Sequence, residues 1–153
     1  MTTVYILVGC PSSGKSTWAS KCENHNAECV ISTDDIREEL SGDATDQSVS
    51  GKAFSIARKR LQEYLNEGHS VIIDATNMYR KTRKDFLDIA KDNNSKTVAV
   101  VFEVTKETAI ERNAKRAASG GRNVPSHVIE NMIGKYQRPD TIEFNEVLFI
   151  SKL

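Results

Sequence analysis

The stretch "VYILVGCPSSGKSTWA", Val4 to Ala19, decides how the rest of the chain is read. Its first half is a short apolar run of the kind that forms a buried strand. Its second half opens a helix at Lys15. Between them, Gly9-Cys10-Pro11-Ser12-Ser13-Gly14-Lys15-Ser16 fits G-x-x-x-x-G-K-[ST]. The glycines permit backbone angles that a Cβ forbids, so the loop can turn its N–H groups inward as an anion nest. The helix behind it, with Thr17 in its first turn, adds the positive end of its dipole. Lys15 can reach β- and γ-phosphates and Ser16 can ligand Mg²⁺. The implied ligands are a nucleoside triphosphate and Mg²⁺.

Working outward, apolar runs alternate with helical patterns. Strands are expected at "TVYILVG" from Thr3, "CVIS" from Cys29, "SVIIDAT" from Ser70, "KTVAVVFEV" from Lys96 and "VLFIS" from Val147. Helices are expected over Lys15–His25, near Asp34, and over Lys52–Asn66, Arg80–Lys91, Lys106–Ala117 and Ser126–Tyr136. In the third of these, Phe54, Ala57, Leu61, Tyr64 and Leu65 fall at helical spacing, and Gly68 lies just past the end. Phe86, Leu87 and Ala90 face inward from the fourth. The pattern predicts one α/β domain over residues 1–153, a three-layer sandwich. Its parallel sheet has about five strands, with helices on both faces. Ligands then sit at the carboxyl ends of the strands.

Two strand ends carry acids. "STDDIRE" follows the second strand. Asp34 is placed to accept a proton from an attacking hydroxyl, Arg37 to bind an anionic acceptor, and Asp35 to cap or stabilise the first helical turn. "VIIDATN" closes the third strand. Asp74 suits Mg²⁺, directly or through water. Thr76 and Asn77 either hydrogen-bond the acceptor at the cleft rim or simply make a turn.

"ERNAKRAASGGRNVP" holds Arg112, Arg116 and Arg122. The first two are four residues apart and share a helix face. Gly120-Gly121 breaks the helix and supplies a hinge, and Pro125 marks the end of the segment. Residues 112–125 therefore read as an arginine-bearing lid that excludes water and neutralises transition-state charge, or as a solvated helix face. A lid beside a cleft acid favours transfer to an acceptor over hydrolysis.

Composition sets outer limits. Apolar residues are 39% and charged residues 27%, as in globular proteins, and no apolar run approaches the roughly eighteen residues of a membrane span. Lys plus Arg and Asp plus Glu are 21 each, which argues against wrapping a long nucleic acid but allows binding of its end. Three cysteines, Cys10, Cys22 and Cys29, lack C-x-x-C spacing and read as reduced thiols. With no signal peptide seen, the expected location is cytoplasmic, that of the host cell if the chain is phage-encoded. No obligate protein partner is evident.

"GCPSSGKSTW", "STDDIRE", "VIIDATN" and "ERNAKR…VP", in that order, resemble the kinase domain of phage polynucleotide 5′-kinase, among the small P-loop kinases. The resemblance covers nearly the whole chain. It implies a lid-bearing P-loop kinase fold and transfer of the γ-phosphate of ATP to the 5′-hydroxyl of DNA or RNA. By motif match, Lys15 and Ser16 hold phosphate and Mg²⁺, and Asp34 is the general base. Arg37 contacts the acceptor's phosphate, Arg116 stabilises the transition state and Arg112 supports the nucleotide. In the family the third-strand acid directly precedes Thr-Asn, whereas here Ala75 does and the acid is Asp74. Arg58-Lys59-Arg60 and Arg80-Lys81-Thr82-Arg83-Lys84 either flank an entering strand or are solvated helix faces. A small-molecule kinase acting on a nucleoside, sugar or antibiotic remains the alternative. A regulatory nucleotide-binding module without transfer fits less well with Lys15, Ser16, Asp34 and Arg116 all present.

Overall fold

A computed structural model describes residues 1–150. Five parallel strands form one sheet in the order β2-β3-β1-β4-β5: β1 Thr3–Val8, β2 Cys29–Ser32, β3 Val71–Asp74, β4 Lys96–Val101 and β5 Glu146–Phe149. Six helices connect them: α1 Lys15–Ser20, α2 Thr33–Ser41, α3 Ser50–Asn66, α4 Arg80–Asp92, α5 Lys106–Ala118 and α6 Ser126–Gly134. Ser151, the last residue of the expected fifth strand, lies outside the described residues.

The period of two along β1 sorts the core. Val4, Ile6 and Val8 join Ala57, Leu61, Phe86 and Leu87 of α3 and α4 on one face. Leu7 joins Trp18 of α1, Val100 and Phe102 on the other. A third cluster packs α5 and α6 against the phosphate loop itself, through Cys10, Met78, Ala109 and Ile129. Cys10 has an anchoring role here: its buried side chain ties the loop to α6 and to α5, the helix that carries Arg112 and Arg116.

Helix ends follow local chemistry. Gly68, at φ 80, closes α3 in a Schellman motif, with its N–H donating to Leu65 O and that of His69 to Tyr64 O. Helix α1 stops at Ser20, short of the expected His25, because Lys21 turns extended and residues 22–24 form a 3₁₀ turn. Asp35, expected to cap or stabilise the first turn of α2, sits within that turn; the cap is Ser32, whose Oγ accepts from Asp35 N–H.

Candidate active site

The loop after β1 is built on two close approaches. Gly9 N–H donates to Thr76 O at 2.9 Å, joining the ends of β1 and β3. A Cβ on Gly9 would stand 2.6 Å from Ser13 Oγ and 3.1 Å from Phe102 Cβ, so a side chain there would push on Ser13 and Phe102. Gly14 takes φ 103 as the residue before α1, and Ser12 sits at φ 64. The hydroxyls of Ser12 and Ser13 are buried with no partner among the described residues, an arrangement that suits a polar ligand in the loop. Pro11 lies half-buried in the same turn.

Lys15 is buried, and its Nζ donates to the carbonyls of Gly9 and Cys10, both at 2.9 Å. Burial pushes its ammonium down to about 8, against the pull of Asp74 and with Arg116 and Arg122 adding repulsion. Ser16 and Thr17 are exposed in the first turn of α1. Ser16 Oγ donates to Asp74 Oδ2 at 2.9 Å. Among the described residues no three His, Cys, Asp or Glu side chains form a metal cage. A hydroxyl and a carboxylate side by side beside a phosphate loop fit Mg²⁺, which takes few protein ligands and fills its shell with water and phosphate oxygens.

The register Ser32↔Asp74 sets the start of α2 level with the end of β3. Asp34 stands there between two arginines. Arg37, one turn on, pairs with its Oδ1, and Arg122 pairs with its Oδ2 from 88 residues away. Arg37 is itself buried, and its Nε donates to Ala44 O at 2.8 Å. Burial lowers the Arg37 pKa, and Arg122 lowers it further.

Around Arg122 the backbone is fixed on both sides. Gly120, at φ 84, ends α5 in a second Schellman motif, with Gly121 N–H donating to Arg116 O at 2.8 Å. Arg116 Nε donates to Arg122 O at 3.1 Å. The amide of the buried Asn113 donates to Val124 O and accepts from Val124 N–H and from Arg116. The Gly-Gly pair, expected as a hinge, is in this structure a tight cap. Arg112, half-buried on α5, is close enough to Cys10 to oppose the upward push of burial on that thiol.

Two expectations change. Asn77, placed at the cleft rim from the sequence, is fully buried at φ 47. Its amide donates to Leu7 O at 2.9 Å, so it braces β1 against β3 and cannot meet an acceptor. Thr76 meets the loop through its carbonyl, as described for Gly9. Arg83, read as part of a basic cluster for an entering strand, is completely buried: Nε and Nη2 donate to the two Glu143 oxygens at 2.8 and 2.9 Å, Nη1 to Asn77 O and Nη2 also to Gln137 O. Most of its neighbours in those clusters are paired too, Arg58 with Asp85, Arg60 with Glu39, Arg80 with Asp140 and Lys84 with Asp88.

Beside the loop lies a cavity of about 190 Å³, lined by Gly9, Cys10, Met78, Phe102, Val104 and Tyr136 among others. Burial raises the Tyr136 phenol pKa, as does Glu103, whose carboxylate accepts its hydrogen bond.

The chain is similar in sequence and fold to several known proteins. The chain is 32% identical over 141 residues to the L-seryl-tRNA(Sec) kinase of Methanococcus maripaludis, across 89% of this chain and 53% of that protein. It is 27% identical over 126 residues to a protein of Autographa californica nuclear polyhedrosis virus whose name pairs polynucleotide kinase with RNA ligase, across 73% of this chain and 18% of that one. The chain thus spans about half the first relative and under a fifth of the second. A chain of the Pnkp1/Rnl/Hen1 RNA repair complex superposes at TM-score 0.76 and 26% identity, covering 88% of this chain and 43% of that chain. Chaetomium thermophilum Kti12 with ADP-AlF3 superposes at 0.70 and 18% identity, covering 96% and 88%, a likeness of fold. Residues 4–139 match a family profile described as an AAA domain. The chain belongs to this AAA domain family and has the fold of the P-loop kinases.

Proposed function

We propose that the chain is an ATP-dependent polynucleotide 5′-hydroxyl kinase, a single domain in which residues 112–125 form the lid. The observation that carries this reading is Asp34 at the cleft end of β2 with Arg37 on it, one wall away from Lys15, Ser16 and Asp74. A hydroxyl beside a phosphate needs a base and a cation at that spacing, and a neutral sugar has no use for the cation.

In the proposed reaction the 5′-oxygen attacks the γ-phosphorus of ATP. The new O–P bond forms as the bond to the β-phosphate oxygen breaks, ADP leaves, and the hydroxyl proton passes to Asp34. Lys15 and Arg116 neutralise charge on the transferring group, and Arg112 supports the nucleotide from α5. The main chain of residues 9–17 holds the phosphates. Ser16 and Asp74 would hold Mg²⁺, which would supply charge neutralisation on the triphosphate.

Two relatives support a nucleic-acid acceptor by name, one for a polynucleotide and one for a seryl-tRNA. The second reading is transfer to a hydroxyl other than a 5′-end, and the 32% identity to a kinase named for seryl-tRNA(Sec) favours it over the first at that point. The test incubates the protein with γ-labelled ATP and, separately, a 5′-OH oligonucleotide, seryl-tRNA, nucleosides and sugars. Label on the oligonucleotide end is expected. Asp34→Asn should lower that transfer by about 10²–10⁴-fold with ATP affinity near that of the wild type. Label only on seryl-tRNA, a nucleoside or a sugar overturns the polynucleotide reading, and an unimpaired Asp34→Asn protein removes Asp34 as base.

A further inference from the structure

An ion pair at a protein surface contributes little to stability, usually under about 1 kcal/mol. The contact between Arg122 and Asp34 is of that kind by exposure, with side chains 39% and 43% accessible. Yet the chain holds Arg122 in place with unusual care. The Schellman turn at Gly120-Gly121, the Arg116 bond to the Arg122 carbonyl and the Asn113 clamp on Val124 fix the backbone on either side of it. The result is a guanidinium aimed across the cleft at the carboxylate proposed as base.

The charges there do not balance. Each oxygen of Asp34 faces one guanidinium, so two positive groups share one negative one. Arg37 cannot turn away easily, being 10% accessible and tied to Ala44 O. Arg122 is the freer of the two. Its charge is also felt widely: after burial, it helps depress the pKa values of Arg37 and Arg116, and it adds to the depression at Lys15. One surplus positive charge at the acceptor side is what a single anionic group would satisfy, and a phosphodiester carries one negative charge.

We propose that Arg122 is an acceptor-reading residue: with Arg37 it forms a two-guanidinium cradle for the phosphate next to the acceptor hydroxyl, and by moving onto that phosphate it frees Asp34. This rests on the polynucleotide reading above, in which the 5′-hydroxyl and its 3′-phosphodiester belong to the same nucleotide. In the parked arrangement both oxygens of Asp34 are engaged by guanidinium groups. When the phosphate takes Arg122, Oδ2 opens toward the hydroxyl, and the proton released as the oxygen attacks the γ-phosphorus passes to it. An acceptor without a neighbouring anion leaves the base engaged. The site then selects its substrate twice, by affinity and by release of the base.

The test compares adenosine 3′-monophosphate with adenosine, in the wild type, Arg122→Gln and Arg122→Lys. Affinity is read by calorimetry in the presence of ADP and Mg²⁺, and transfer is read with labelled ATP. Arg122→Gln should weaken adenosine 3′-monophosphate by roughly 10–100-fold, the worth of one charge-assisted hydrogen bond, and Arg122→Lys should recover part of it. Binding of adenosine should stay put, and its slow phosphorylation by Arg122→Gln should rise, because Asp34 has lost one of its two captors. A purely structural arginine would lower both acceptors together. Equal losses for both, or an unchanged preference for the phosphate-bearing one, overturn the cradle. A 5′-OH oligonucleotide in parallel separates the two ideas. If the wild type labels it while Arg122→Gln changes nothing, the cradle fails alone. If the wild type never labels it but binds adenosine 3′-monophosphate through Arg122, the polynucleotide reading fails and the anion cradle stands.

Discussion

Glu143→Gln tests the least expected feature of the interior, the arginine buried behind the phosphate loop. Arg83 has no accessible surface and spends its donors on Glu143, Asn77 O and Gln137 O. The glutamine keeps the shape of the partner but brings an NH₂ against guanidinium N–H groups and removes the negative charge paired with the fork. Breaking a buried pair by removing one partner costs about 3–5 kcal/mol. Glu143 is 14% accessible, and the glutamine carbonyl still accepts one bond, so the lower end, about 3 kcal/mol, is expected. In a domain of this size that is a fall in Tm of roughly 6–12 °C, measured by circular dichroism. The loss should also reach the nucleotide. Arg83 holds Asn77 O, Asn77 holds Leu7 O, and Thr76 O receives Gly9 N–H, so loosening Arg83 loosens the root of the phosphate loop. A rise of several-fold in KM for ATP should accompany the lower Tm, on the order of 1 kcal/mol of lost preorganisation. A Tm within about 2 °C of the wild type would refute the reasoning, since Arg83 would then need no counter-charge. A lower Tm with unchanged KM would keep the stability argument and remove the link to the loop.

Two other perturbations follow from the site. Lys15 has a folded pKa of about 8, below its ordinary 10.5, so the nucleotide-free protein carries fewer protons than the unfolded chain between those values. Stability should therefore rise with pH across that window, and Lys15→Met should abolish that part of the slope in urea titrations. ATP affinity should move the other way, falling as pH passes 8 and the ammonium that meets the triphosphate is lost; calorimetry giving a flat profile from pH 7 to 9.5 would show that Lys15 stays charged. Gly121→Ala puts a Cβ 2.6 Å from Arg116 Cγ and 2.9 Å from Arg116 O, displacing the arginine proposed to meet the transition state. Turnover should fall about 10–100-fold. Gly120→Ala, with open space but φ 84, should cost stability of about 1–2 kcal/mol and much less turnover. Equal turnover in the two variants would dissociate the cap from catalysis.

Much of the fold was legible because its signals are local. The β-branched runs, the period of α3 and α4 and the glycine after α3 each depend on neighbours within a turn or two, and the observed elements follow them closely. The ends were less legible where a distant partner decides. "SVIIDAT" reads as strand through Thr76, but β3 stops at Asp74 because the chain then bends to meet Gly9 and the buried Asn77 adopts φ 47. Helix α1 stops at Ser20 without a glycine or proline to announce it. Asn113 gave a weaker signal: an asparagine inside a helix, three residues before Arg116, is poorly suited to that position unless its side chain has work elsewhere.

The same division explains the site. Gly9 to Thr17, Asp34 and Asp74 follow strand ends, and a parallel sheet brings all strand ends to one edge, so a local reading of each was enough to gather them. Arg83 and Arg122 escaped because their meaning lies in what reaches them. "RKTRK" looks like a solvated helix face until Glu143 arrives from 60 residues later and turns one of its arginines into a buried brace. Arg122 looks like the tail of a basic run until the Schellman turn swings it toward an acid 88 residues earlier. Arginine is ambiguous in sequence because one side chain serves equally as solvated charge, buried fork or anion clamp. What separates these roles is the count of partners at its five donors. For Arg83 the partners are carbonyls and a carboxylate and no surface is left accessible, which makes it structural. For Arg122 the partner is one half-exposed carboxylate that another arginine already shares, and that unequal sharing makes it a residue with something left to bind.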